Sequence, residues 1–81
     1  MLFTASWCGP CKRIKPLFAN LPNEINNVEF SVKDIEADAD LAKRYGVRSI
    51  PTMVITKNED VQNVVINPAN YEQMKQAILS V

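Results

Sequence analysis

Histidine is absent from this chain of 81 residues, cysteine and glycine occur twice each, and no apolar run exceeds a few residues. Each scarcity closes a route. A structural zinc site wants four ligands, and with two thiols and no imidazole only a second copy or an outside ligand could complete one. No segment is long and apolar enough to span a bilayer as a helix. Nine basic and nine acidic residues cancel, which removes the electrostatic case for nucleic acid or an anionic membrane as partner. The stretch before Trp7 is too short for a signal peptide and lacks a basic leader. A closely spaced cysteine pair without an export signal reads as a cytoplasmic dithiol kept largely reduced.

What is present is concentrated at one point. Both cysteines fall in Cys8-Gly9-Pro10-Cys11, directly after Trp7 and at the head of a run with helical periodicity. Cysteines three positions apart at a helix N-terminus can form a disulfide. The unsatisfied N–H groups and the dipole of the helix favour a thiolate on the first of them. A purely stabilising bridge is the alternative, but closing so short a loop removes little denatured-state entropy. The gain is about 2 kcal/mol for roughly four residues against about 4.7 for a loop of about 100. The motif therefore reads as a redox site.

Residues 1–81 make one domain, in which folding buries only about 60% of the surface of the unfolded chain. Met1 to Ala5 reads as a short buried strand. Ile14, Leu17, Phe18 and Leu21 recur at helical spacing from Pro10 to about Leu21. Pro16 should kink that helix, and Pro22 with Asn23 should end it. Val28, Phe30 and Val32 alternate with polar residues in a strand running on to about Ile35. Asp38 to Tyr45 reads as a helix closed by Gly46. Thr52–Thr56 and Val61–Ile66 form a hairpin across Lys57 to Asp60, without the usual turn glycine. Asn70 and Gln73 resemble a capping box ahead of an apolar face made by Tyr71, Met74, Ala77, Ile78 and Val81. The order β-α-β-α-β-β-α implies an α/β domain with a mixed sheet covered by helices on both faces.

This order, Trp7-Cys8-Gly9-Pro10-Cys11 after the first strand, and Tyr45-Gly46-Val47-Arg48-Ser49-Ile50-Pro51-Thr52 opening the hairpin together resemble the thioredoxin family over essentially the whole chain. The chain resembles a minimal version, beginning where the family's second strand would. In size it is similar to glutaredoxins and to the miniature thioredoxins of viruses and some archaea; the expected location is the cytoplasm, or the host cytoplasm in the viral case. The resemblance implies four strands in the order 2-1-3-4, the last two antiparallel to the first two, with an exposed edge at Val28 to Lys33 guarded by Glu29 and Lys33. It implies a protein-disulfide reductase in which Cys8, the more exposed, attacks and Cys11 resolves. It also implies a cis bond before Pro51. Trp7, Gly9, Pro10, Ile50, Pro51, Ile66 and Asn67 would frame a flat apolar surface that takes an extended substrate by strand addition. Trp7 as a core residue is the alternative.

No bound cofactor or metal is expected, the only redox group being the reversible Cys8–Cys11 disulfide. The expected partners are a thioredoxin reductase-like enzyme and disulfide-containing proteins, with the chain a monomer. The Gly-Pro spacer belongs with reducing members of the superfamily. A glutaredoxin-like protein recharged by glutathione is the rival, against which stands the lack of any glycine after Gly46. A thioredoxin-like scaffold subunit is a third reading.

Three positions depart from the family pattern. Leu2 stands where well-known members bury an acid six residues before the nucleophile. Val32 stands where they carry that acid's lysine partner, while Lys33 should face the other side. Losing both is what burial energetics favour, since either alone leaves an unpaired buried charge. Asn67 replaces a loop glycine; asparagine tolerates positive φ, or it caps a helix beginning at Pro68. Lys12, Arg13 and Lys15 form a basic cluster after the dithiol, read as a solvated helix face.

Overall fold

Seven main elements follow one another in the computed structural model, which describes residues 1–81. They are β1 (Leu2–Thr4), α1 (Gly9–Asn20), β2 (Val32–Asp34), α2 (Ala39–Arg44), β3 (Thr52–Lys57), β4 (Asp60–Ile66) and α3 (Tyr71–Leu79). The four strands form one sheet in the order β2-β1-β3-β4. β1 pairs parallel with β2, β3 runs against β1, and β4 runs against β3. The implied directions therefore need correction: only β3 is reversed, and β4 points the same way as β1 and β2. A tight hairpin must reverse the chain once more after β3, which returns β4 to the original direction.

Alternation along β1 sorts the core into two layers. Leu2, in register with Met53, packs with Ile14 and Phe18 of α1 and with Met74 and Ile78 of α3. Phe3 and Val54 pack with Ala42 of α2. Helices thus cover both faces, but unequally: the first layer contains eight buried residues and the second three. At about 1.5–3 kcal/mol for each fully buried large apolar side chain, the α1/α3 face carries most of the stabilisation.

Local chemistry sets the element ends. α1 runs through Pro16 to Asn20, and a 3₁₀ turn over Leu21–Asn23 follows. Pro16 is exposed, so water can serve the carbonyl its missing N–H leaves free. Asp38 precedes α2 as its N-cap residue, and Gly46 follows Tyr45 with φ 69°, a left-handed position suited to glycine. At α3 the Asn70 side chain accepts the Gln73 N–H at 2.8 Å, and Gln73 Oε1 accepts the Ala69 N–H at 2.6 Å. The cap is reciprocal, as the sequence suggests, but reaches one residue further back than the standard box.

Two stretches differ from expectation. The hairpin strands each extend by one residue, to Lys57 and from Asp60, leaving a two-residue turn with Asn58 at φ 53° and Glu59 at φ 70°. Positive φ at both positions matches the twist of the strands, which is the requirement a turn glycine normally meets. β2 is a correction of the opposite kind: it spans Val32–Asp34, not Val28 to Ile35. β1 offers only Leu2, Phe3 and Thr4 as partners. Residues 28–30 have the alternation of a strand and no neighbour within the chain to pair with.

Candidate redox site

β1 delivers the chain to Ala5, and the turn beyond it places Cys8 at the head of α1. The Cys8 N–H donates to the Ala5 carbonyl at 3.1 Å. Cys8 is the N-cap residue of the 12-residue helix, and its sulfur accepts the Cys11 N–H at 3.2 Å. A helix N-terminus leaves donors without intrahelical partners. Here the side chain serving one of them is a cysteine's, and on reduction the same helix end favours negative charge on the Cys8 sulfur. No acidic residue lies in the first turn to oppose this.

The two cysteines are joined as a disulfide with their Cα atoms 5.3 Å apart. Cys8 is 5% exposed and Cys11 fully buried. Cys8 is thus the more accessible, though both are enclosed, because Ala5 and the two sulfurs form a small buried cluster against which Ile35 and Ile50 pack. No group of three or more His, Cys, Asp or Glu side chains is placed to hold a metal ion.

Ile50 comes from the segment before β3, and the fold sets it against the cysteines. The Ile50–Pro51 bond is cis and Pro51 is buried. The Pro51 carbonyl accepts the Asn67 N–H at 2.8 Å, which ties the end of β4 to the start of β3, where Thr52 and Ile66 are in register. Thr52 Oγ1 donates to the Ser49 carbonyl at 2.7 Å and braces the same segment. Neither the N–H nor the C=O of Ile50 has a partner within the chain. Asn67 adopts φ 50°, the left-handed conformation, and the helix beyond it begins at Tyr71 with Asn70 as cap. The alternative of a cap ahead of Pro68 is therefore excluded.

Trp7 is 65% exposed and Ile66 67%, with Gly9 and Pro10 also exposed. Trp7 is accordingly not part of the core. Its indole N–H donates to Glu36 Oε1 at 2.6 Å. Glu36 and Ile35 are the site neighbours that residue types alone did not single out. The available signal was Asp34: its carboxylate accepts the Glu36 and Ala37 N–H groups at 2.7 and 3.3 Å, a side-chain-closed turn that presents Glu36 to Trp7.

Leu2 and Val32 are partners in the parallel register, whereas Lys33 lies opposite Phe3. Leu2 is fully buried and Val32 is 48% exposed. The two positions expected to hold an acid and a lysine are thus neighbours, and both are apolar. Lys33 belongs to the other face.

The family model described as Thioredoxin matches residues 1–80. A thioredoxin from Gallus gallus is 38% identical over 79 residues, covering 96% of this chain and 73% of the relative. Thioredoxin-1 of Caenorhabditis elegans is 41% identical over 58 residues, covering 72% of this chain and 50% of the relative. Among solved structures, mitochondrial thioredoxin 3 from Saccharomyces cerevisiae superposes with a TM-score of 0.87 at 30% identity, over 99% of this chain and 74% of that one. A mutant thioredoxin from Halobacterium salinarum gives 0.89 at 29%, over 98% and 69%. The chain thus spans about half to three quarters of the length of these relatives. With the cysteine pair at the helix N-terminus and the cis-proline segment packed beside it, the match over residues 1–80 shows that the chain belongs to the thioredoxin family.

Proposed function

We propose that the chain is a thiol:disulfide oxidoreductase that reduces disulfides in proteins. The observation that carries this is the Cys8 sulfur, set as N-cap of α1 and packed beside Ile50, whose backbone N–H and C=O are free to pair with an extended substrate. In the reduced form the Cys8 thiolate attacks one sulfur of the target, forming a Cys8–target disulfide and releasing the other target sulfur as a thiolate. Cys11 then attacks Cys8, the mixed disulfide breaks, and the target leaves with the two electrons that the dithiol has lost.

Cys11 must shed its proton in that second step. It is fully buried, and β1 reads Leu2-Phe3-Thr4, with no carboxylate. Solvent or the departing target thiolate is the acceptor in this reading, so the resolving step is steeply pH-dependent. The dithiol is regenerated by a thioredoxin reductase-like enzyme. The Gly-Pro spacer supports this over recharging by glutathione.

Paired turnover assays test the reading. The oxidised protein is offered NADPH with thioredoxin reductase in one cuvette, and glutathione with glutathione reductase and NADPH in the other. Reduction in the first alone is expected; reduction in the second alone would make the protein glutaredoxin-like. Cys8→Ser should abolish turnover, and Cys11→Ser should trap the mixed disulfide. Biological function persisting in Cys8→Ser would instead favour a scaffold role.

A further inference from the structure

Two strand ends meet beside the dithiol. Thr52 and Ile66 are in register, and one step further the Asn67 N–H donates to the Pro51 carbonyl at 2.8 Å. Asn67 therefore stands across from Pro51, next to Ile50, which packs against the two sulfurs. Its φ of 50° is a left-handed position, where glycine is the residue without steric cost. Pro68 follows and is buried, which pins the backbone at this point.

Ile50 is flanked by residues already engaged. Before it, the Ser49 carbonyl accepts Thr52 Oγ1 at 2.7 Å. After it, Pro51 has no N–H to give, and its carbonyl is taken by Asn67. An extended substrate laid on this segment gains a ladder of a single residue. The groups that extend the contact belong to Asn67. Its backbone carbonyl has no partner within the chain, since Pro51 opposite offers no N–H. Its carboxamide is exposed and forms no hydrogen bond within the chain, whereas those of Asn63 and Asn70 are taken by the Val64 and Gln73 N–H groups. A carboxamide carries both an acceptor oxygen and N–H donors, so it can pair with either group of a peptide bond.

We propose that Asn67 is a specificity-determining residue for polypeptide disulfides, its carboxamide hydrogen-bonding the peptide backbone of a substrate paired with Ile50. The assignment rests on the proposed reduction of protein disulfides, and it adds a physical reason for preferring them to small disulfides. The carboxamide is carried on backbone held by Pro68 and by the Pro51 contact, so the loop has little to order on binding.

Asn67→Gly tests this, because glycine suits φ 50° and the variant loses the carboxamide while keeping the loop. The protein is reduced with dithiothreitol, freed of it, and mixed with insulin or with bis(2-hydroxyethyl) disulfide, which has no peptide group. One lost neutral hydrogen bond corresponds to about fivefold in binding. The ratio of limiting rate to half-saturation concentration for insulin should therefore fall about fivefold relative to that for the small disulfide. The change should lie in the half-saturation concentration and not in the limiting rate. The unfolding temperature of the variant should be no lower than that of the wild type, whereas a merely structural role for Asn67 would lower it. In the mixed disulfide that Cys11→Ser forms with a cysteine-containing peptide, the side-chain amide protons of Asn67 should shift and exchange more slowly than in the free protein. Equal losses with both disulfides, no loss with insulin, or unmoved side-chain amide protons would each overturn the assignment and leave the proposed function standing. A wild type that reduces the small disulfide and not insulin would overturn both.

Discussion

The two ends of the antiparallel pair β1 and β3 are built differently. At one end Ala5, Cys8, Cys11, Pro51 and Thr52 are all buried, all small or rigid, and held by hydrogen bonds from Cys8, Asn67 and Thr52. At the other, near Met1 and Lys57, an open cavity of about 540 Å³ lies among Phe18, Phe30, Met53 and Ile78. Small residues leave little room for rearrangement, so the dithiol end fixes a sulfur against a backbone. Large residues around a void tolerate slack. Precision is thus placed where a bond must be exchanged, and the opposite end is left incompletely filled.

The strongest way to break this contrast is to force a charge into the packed side of β1. Leu2→Asp should lower stability by about 3–5 kcal/mol, as an unpaired buried charge does. Adding Val32→Lys should recover part of that loss, since positions 2 and 32 are in register. Urea unfolding of the single and double variants measures both. If the double variant is no more stable than Leu2→Asp, the neighbouring positions do not couple and the account of their joint replacement fails.

A smaller effect sharpens the contrast at the open end. The rings of Phe18 and Phe30 meet edge-to-face with centroids 5.7 Å apart, yet Phe18 is 3% exposed while Phe30 is only half-buried. Phe18→Ala should cost about 3–5 kcal/mol, and Phe30→Ala roughly half as much because part of its surface is already wet. Equal losses in thermal or urea unfolding would mean that the cavity is closed in solution.

The smallest effect lies outside both ends. Tyr71 on α3 donates its hydroxyl to Glu24 after α1, and Lys75 lies 3.5 Å from the same carboxylate. The hydrogen bond to Glu24, then desolvation and the negative charges of Glu24 and Glu72, raise the Tyr71 pKa from 10.0 to about 12. The same bond, helped by Lys75 and opposed by desolvation, lowers that of Glu24. The phenol is held protonated by the fold, so its contribution is complete below the ordinary phenol value and is lost as pH rises through about 12. The carboxylate works in the other direction: its contribution is present above its unfolded value and fades as pH falls through the depressed one. Solvent screens the pair, so the shift in stability is small. A phenolate absorbance titration should show Tyr71 near 12, and Tyr71→Phe should return Glu24 toward the usual carboxylate range.

Much of the site was legible because its determinants are local. Cys8 and Cys11 lie within one helical turn, and the helical run read from Pro10 to about Leu21 sets them at its head; the structure starts α1 at Gly9 and so makes Cys8 its N-cap residue. The turn residues Asn58 and Glu59 were harder to read, since positive φ is imposed there by strand twist and not by residue type. Glu36 was invisible, because its contact with Trp7 depends on where β2 ends. Val28 to Ser31 misled: the pattern was that of a strand, and pattern does not supply a partner.

By itself, then, the sequence determined the element order, the dithiol at the head of α1 and the apolar replacement of the acid and lysine positions, since these depend on residue type and spacing along the chain. The tertiary structure alone decided the direction of β4, the three-residue length of β2, the seating of Ile50 against the cysteines and the pairing of Trp7 with Glu36. The physical reason is that hydrogen-bond ladders and side-chain contacts require two segments to meet, and which segments meet is fixed only when the whole chain closes on its core.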